Sequence, residues 1–207
     1  MACGFFSMST FDLALSVALG VVLAASTGFR VFLPMLIASG AAYTGYLPLA
    51  ENFAWLATPL ALTMLGVAAL VEIAAYYIPG IDNLLDTLAA PAALVAGTVL
   101  SAAVMTDVPP MMKWTAAIIA GGGAASVTQL VTTMLRAKST IFTGGIGNSA
   151  VATAELGGAF ILPLLALAAP LIALGIVLLL AWMAFRALRR LRTSGKHPTT
   201  TTLNGSG

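Results

Sequence analysis

Apolar residues run along this chain in long blocks, separated by short polar or glycine- and proline-rich stretches. About 20 residues of apolar helix cross the hydrocarbon core of a bilayer, and on that ruler the blocks make roughly six segments. The first, from about Thr10 to Tyr43, is too long for one straight span. Gly28-Phe29-Arg30-Val31-Phe32-Leu33-Pro34 divides it, because glycine weakens a helix through entropy and proline through its missing N–H and ring clash. The pattern predicts a span followed by a broken or re-entrant half-helix. Whether residues 28–43 cross fully or re-enter stays open at this level.

Gly45, Pro48, Glu51 and Asn52 read as a surface loop, and the second segment runs from about Phe53 to Tyr77. Tyr76 and Tyr77 suit an interfacial belt. Ile78-Pro79-Gly80-Ile81-Asp82-Asn83 forces a turn, after which Asp82 or Asn83 can cap a helix. The third segment extends to about Thr106 with a kink expected at Pro91. The fourth covers about Met111 to Leu135, closed by Arg136 and Lys138. A glycine-rich passage from Ser139 to Asn148 precedes the fifth, which starts near Asn148. The sixth runs from about Ala159 to Arg186. Gly157-Gly158 is either the turn between these two or a point of close packing.

Composition fixes the class. Sixty per cent of the 207 residues are hydrophobic and 8% are charged, with a mean hydropathy of +1.02, whereas a soluble domain carries about a quarter charged residues. The chain is an all-α, polytopic integral membrane bundle. One transmembrane domain fills residues 10–192, between a disordered extension at 1–9 and a disordered polar tail at 193–207. Leu13 to Ser26 resembles a signal-peptide core, but Asp12 stands before it where such a peptide wants positive charge, which favours an uncleaved first span.

Charge suggests the orientation. Arg186, Arg189, Arg190, Arg192 and Lys196 hold five of the nine basic residues and leave four against seven acidic ones elsewhere. A basic cluster straight after a span predicts a cytoplasmic C-terminus, with anionic lipid headgroups as further contacts. Six crossings then put Arg136 and Lys138 inside and Glu51, Asp107 and Lys113 outside. The short cluster offers no folded surface for nucleic acid.

Gly80-Ile81-Asp82-Asn83 matches Gly145-Ile146-Gly147-Asn148, and Leu23-Ala24-Ala25-Ser26 matches Gly123-Ala124-Ala125-Ser126. These echoes suggest an inverted repeat of the kind many transporters carry. Gly20, Ala24 and Gly28, like Gly121 and Ala125, have small-xxx-small spacing suited to helix contact, within the chain or in a homo-oligomer.

Candidate chemistry is confined to few residues. Cys3 is the only cysteine and His197 the only histidine, which removes disulfides, thiolate or di-histidine metal sites and Ser–His catalysis from the apolar body. No cofactor, metal or enzymatic activity is expected. Charges at membrane depth are costly and usually face a protein interior or watery cavity, which singles out Arg30, Glu72 and Glu155. Glu155 lies two turns past Asn148, and Arg30 is its expected partner, with Glu72 competing. Asp82 and Asp86, four apart, share a helix face; they suit reversible proton binding or simple capping of that helix. Arg30, Gly28, Asn83, Gly145 and Asn148 are the expected anion-binding set, because helix amino ends favour negative charge. Glu155, Glu72, Asp86 and Asp82 are the expected proton carriers.

The 28–34 stretch, Ile78-Pro79-Gly80-Ile81-Asp82-Asn83 with Asp86 and Pro91, and Gly144-Gly145-Ile146-Gly147-Asn148 with Glu155 together resemble a bacterial family of small integral membrane proteins. That family is labelled only as a domain of unknown function. The likeness spans about Thr10 to Arg186 and implies the architecture without a substrate. In design alone, Arg30 beside acidic residues on broken helices is also similar to polyprenyl-phosphate lipid carriers. Two functions remain in view: a transporter or flippase for an anionic solute or lipid headgroup, with proton coupling, and a non-catalytic membrane subunit or assembly factor.

Overall fold

The structure is a computed structural model that describes residues 10–78, 81–106, 108–144 and 146–194. It is all-helical over those residues. In chain order the elements are α1 (Thr10–Thr27), α2 (Phe32–Tyr43), a 3-10 turn (Glu51–Ala57), α3 (Pro59–Ala75), α4 (Ile81–Val104), α5 (Pro110–Ala116), a π-helical stretch (Ala117–Gly122), α6 (Gly123–Thr143), α7 (Asn148–Ala168) and α8 (Pro170–Ser194). Thr87–Val104, Pro110–Thr143 and Asn148–Ala168 are long and apolar enough to cross a membrane. The 3-10 turn and α3, bent by 65°, qualify together as a broken span. The protein is a helical membrane bundle.

The first block breaks where its sequence says it should. α1 stops at Thr27, residues 28–31 leave the helix, and α2 begins at Phe32. At ~1.5 Å rise per residue the 12 residues of α2 reach roughly 18 Å, short of the ~30 Å hydrocarbon core. It is a half-helix. Pro34 does not break it. As the third residue of α2, it sits where a backbone N–H would have no intrahelical partner, so its missing donor costs nothing.

α1 is the hub, packed against α4, α6, α7 and α8, and its residues 22–27 are buried. Small residues let the backbones meet. A Cβ on Gly28 would run into the Ala125 carbonyl oxygen and lie 2.5 Å from Thr128 Cβ; one on Gly121 would lie 2.5 Å from Ser101 Cβ. The small-xxx-small faces at Gly20, Gly28 and Gly121 are therefore turned inward, into contacts with Ser101, Ala125 and Thr128.

Several sequence expectations need correction. The glycine-rich passage is shorter than expected, because α6 continues helically to Thr143 and ends on Gly144 at φ +62, a left-handed C-cap suited to glycine. Gly157-Gly158 is no turn: α7 runs through it to Ala168, and Gly158 gives room to the Phe29 ring, 3.3 Å from where its Cβ would stand. The sixth segment starts at Pro170 instead of Ala159, since proline is favoured in a first helical turn. Pro163 stays inside α7. Pro91, the position where the sequence places a kink, likewise lies inside α4.

Candidate functional site

Four charged side chains and one ring meet inside the bundle. Arg30, in the α1–α2 break, is 1% exposed; Arg136 on α6 is 5%, Glu155 on α7 is 3%, Glu72 on α3 is 8% and Tyr76 at its end is 7%. Arg136 donates from Nε to Glu155 Oε1 at 2.9 Å and from its terminal nitrogen to Oε2, a two-pronged pair of the kind arginine makes best. Arg30 stands 3.9 Å from Glu155 Oε2 and donates to the Ala152 carbonyl, one turn earlier on α7, at 3.2 Å. Both guanidiniums lie against the Tyr76 ring, Arg30 at 3.6 Å and Arg136 at 4.1 Å from its centroid. Cation–π attraction is worth ~2 kcal/mol or more when the partners are desolvated.

Glu72 does something else. Its carboxylate accepts from Val31 N–H at 2.7 Å and from Phe32 N–H at 3.0 Å, with Leu33 N–H also facing it. Since Pro34 has no N–H, one carboxylate on α3 accounts for the amino end of α2. An acid at this position also opposes the partial positive charge of the helix end.

Thus Arg30 lies beside Glu155 as expected, while Glu72 serves the amino end of α2. Glu155 takes its hydrogen bonds from Arg136 and has Arg30 as the more distant cation. Arg136 is not the surface residue that the charge pattern suggested. It lies inside because Gln129, Thr132 and Arg136 form a buried polar stripe on α6 at the three-to-four-residue spacing of one helix face. That stripe was the available signal. Lys138, by contrast, is exposed. Tyr76 is likewise no interfacial residue, whereas Tyr77 is 44% exposed with its hydroxyl 3.1 Å from Thr153 Oγ1.

The other expected site residues lie elsewhere. Gly28 seats the break against α6. Gly147, not Asn148, takes the N-cap position of α7. The Asn148 amide donates to Thr140 Oγ1 at 3.0 Å across the α6–α7 turn, about 10 Å along the helix from Glu155 at ~1.5 Å per residue. Gly145 and the side chains of Asp82, Asn83 and Asp86 lie outside the described residues. Among the described residues no three His, Cys, Asp or Glu side chains gather as metal ligands.

A cavity of about 750 Å³ runs between α3 and α4 and reaches Val31, Phe32, Glu72 and Tyr76 at the edge of the cluster. The arrangement holds formal charges in balance, two guanidiniums against two carboxylates. One proton taken up by either carboxylate leaves a net positive site beside a cavity.

No curated protein and no solved structure matches the chain. Residues 17–190 match the family described as Domain of unknown function (DUF4126), a stretch that takes in every member of the cluster, and the chain belongs to that family.

Proposed function

We propose that this protein is a bacterial inner-membrane transporter or flippase for an anionic solute or lipid headgroup, coupled to protons, with its C-terminus in the cytoplasm. The observation that carries the reading is the convergence of Arg30 and Arg136, both paired with Glu155, on one buried ring, Tyr76, which also lines the α3–α4 cavity. Buried charge inside a membrane bundle is expensive and tends to mark solute or proton paths. In this mechanism a proton on Glu155 or Glu72 frees positive charge, the anion replaces the lost carboxylate, and both leave together on the far side. The orientation rests on the basic end of α8, which fits the positive-inside pattern.

A reconstituted flux assay tests it. Arg30→Ala, Arg136→Ala and Glu155→Gln are expected to abolish proton-driven anion movement while wild type supports it. Wild-type rates in all three would sink the mechanism.

One observation favours a different reading. Each carboxylate is already met by internal donors, as in a cluster that only pins helices together. A non-catalytic membrane subunit would need no more. It predicts a stoichiometric partner on purification from native membrane and no flux from the isolated protein.

A further inference from the structure

The walls of the α3–α4 cavity bear on which kind of anion the proposed site takes. Its inner end is made by Val31, Phe32, Glu72 and Tyr76. Its outer walls include Met64, Val67, Val71 and Leu88, which are 66%, 62%, 62% and 61% exposed. Both flanking helices contribute candidate spans, so these apolar side chains face hydrocarbon. The volume of about 750 Å³ is that of a small-molecule site.

A hydrated anion entering by this route would have to shed its water along an apolar wall, with nothing polar to replace it. A lipid enters sideways at no such cost, because its tails are as apolar as the leucines they would touch. The inner end supplies what a lipid head needs. The amino end of α2 already holds an anionic group, the Glu72 carboxylate, and the Arg30 guanidinium stands 3.6 Å from the centre of the Tyr76 ring. The cleft is apolar along its length and ends at the Glu72 carboxylate and the Tyr76 ring, with the Arg30 guanidinium behind that ring.

We infer that the ligand of this site is a membrane lipid with an anionic head. One chain lies in the α3–α4 cleft, and the head reaches Tyr76 and the amino end of α2, taking over the donors that Glu72 holds when no lipid is bound. The fate of the bound lipid rests on the transport reading above; its binding does not.

The experiment uses the full chain in phosphatidylcholine vesicles. Three probes are compared: phosphatidylglycerol with a fluorescent tail for translocation, radiolabelled inorganic phosphate for uptake, and phosphatidylglycerol with a photoreactive tail for cross-linking. Wild type is expected to move the fluorescent lipid, to exclude phosphate, and to take the photolabel on α3 and α4. Unlabelled phosphatidylglycerol should compete with the photolabel and phosphatidylcholine should not. Ala68→Trp, which fills the cleft, should lower lipid movement and labelling by roughly tenfold. Ala68→Leu should do so less, and covers the case of a misfolded tryptophan variant. Phosphate uptake that Ala68→Trp leaves intact would overturn the lipid assignment and leave transport standing. Cleft labelling with neither probe moved would keep the lipid site and remove the transporter. Absent labelling, or labelling that phosphatidylcholine displaces equally, overturns the inference.

Discussion

The Glu72 carboxylate lies 2.7 Å from the Val31 nitrogen, 41 residues away in sequence, and closes the amino end of a helix to which it does not belong. Two helices are thereby fixed to one another through a single side chain. Glu72→Ala leaves buried N–H donors without acceptors, at ~1–3 kcal/mol each, so a loss on the order of 3 kcal/mol is expected. Glu72→Gln keeps a carbonyl acceptor and should lose clearly less. Thermal unfolding in detergent, followed by tryptophan fluorescence, ranks the two. Equal melting temperatures for Ala, Gln and wild type would show that the cap contributes nothing.

Arg136 and Glu155 should behave as a unit. Removing one partner of a buried ion pair strands the other charge and costs ~3–5 kcal/mol. Arg136→Ala and Glu155→Ala are therefore each expected to be severe, and the double variant milder than their sum. Arg136→Met with Glu155→Leu, apolar replacements of similar length, should recover part of the loss but stay below wild type, because buried Arg30 loses the carboxylate 3.9 Å away. Additive losses across the cycle would mean the pair does not couple.

The sequence makes a site residue legible only where its signal is local. Arg30 and Glu155 stood out because each is a lone charge inside an apolar block, and the break at Gly28 was written in the residue types. Arg136 was masked by its neighbours. It stands two residues from the exposed Lys138 and close to a glycine-rich stretch, so linear charge counting assigns it to the membrane surface. Its polar stripe with Gln129 and Thr132 appears only when α6 is read as a helix reaching Thr143. The capping role of Glu72 had no local signal at all, because the helix end it serves is set by tertiary packing. The α7–α8 boundary failed for a related reason. Adjacent glycines and a proline look like a break, yet neighbouring helices in a bundle can support both.

Gly28 is predicted to be the least replaceable small residue of the break. A methyl group there meets the Ala125 carbonyl oxygen and the Gln129 nitrogen, 2.9 Å away, and both are backbone atoms of α6. Overpacking of this kind costs ~1–3 kcal/mol. Gly157, with nothing within 4 Å of its would-be Cβ, is the control on α7. Gly28→Ala should lower the melting temperature measurably and Gly157→Ala should not, a contrast that fails if α1 and α6 can separate freely.

Tyr76 joins the charged cluster to the cavity, and its ring is the shared element. Tyr76→Phe keeps the face against which Arg30 and Arg136 lie and should retain most of their stabilisation. Tyr76→Leu removes that face and the ~2 kcal/mol or more that a desolvated cation–π contact supplies. The melting temperature should therefore order as wild type, Phe, then Leu. The same substitution thins the barrier between the cavity and Arg30. A small arginine-selective dicarbonyl reagent, followed by peptide mass spectrometry, should modify Arg30 slowly in wild type and faster in Tyr76→Leu. If Leu is as stable as Phe and Arg30 is no more reactive, the ring neither holds the guanidiniums nor screens them from the cavity.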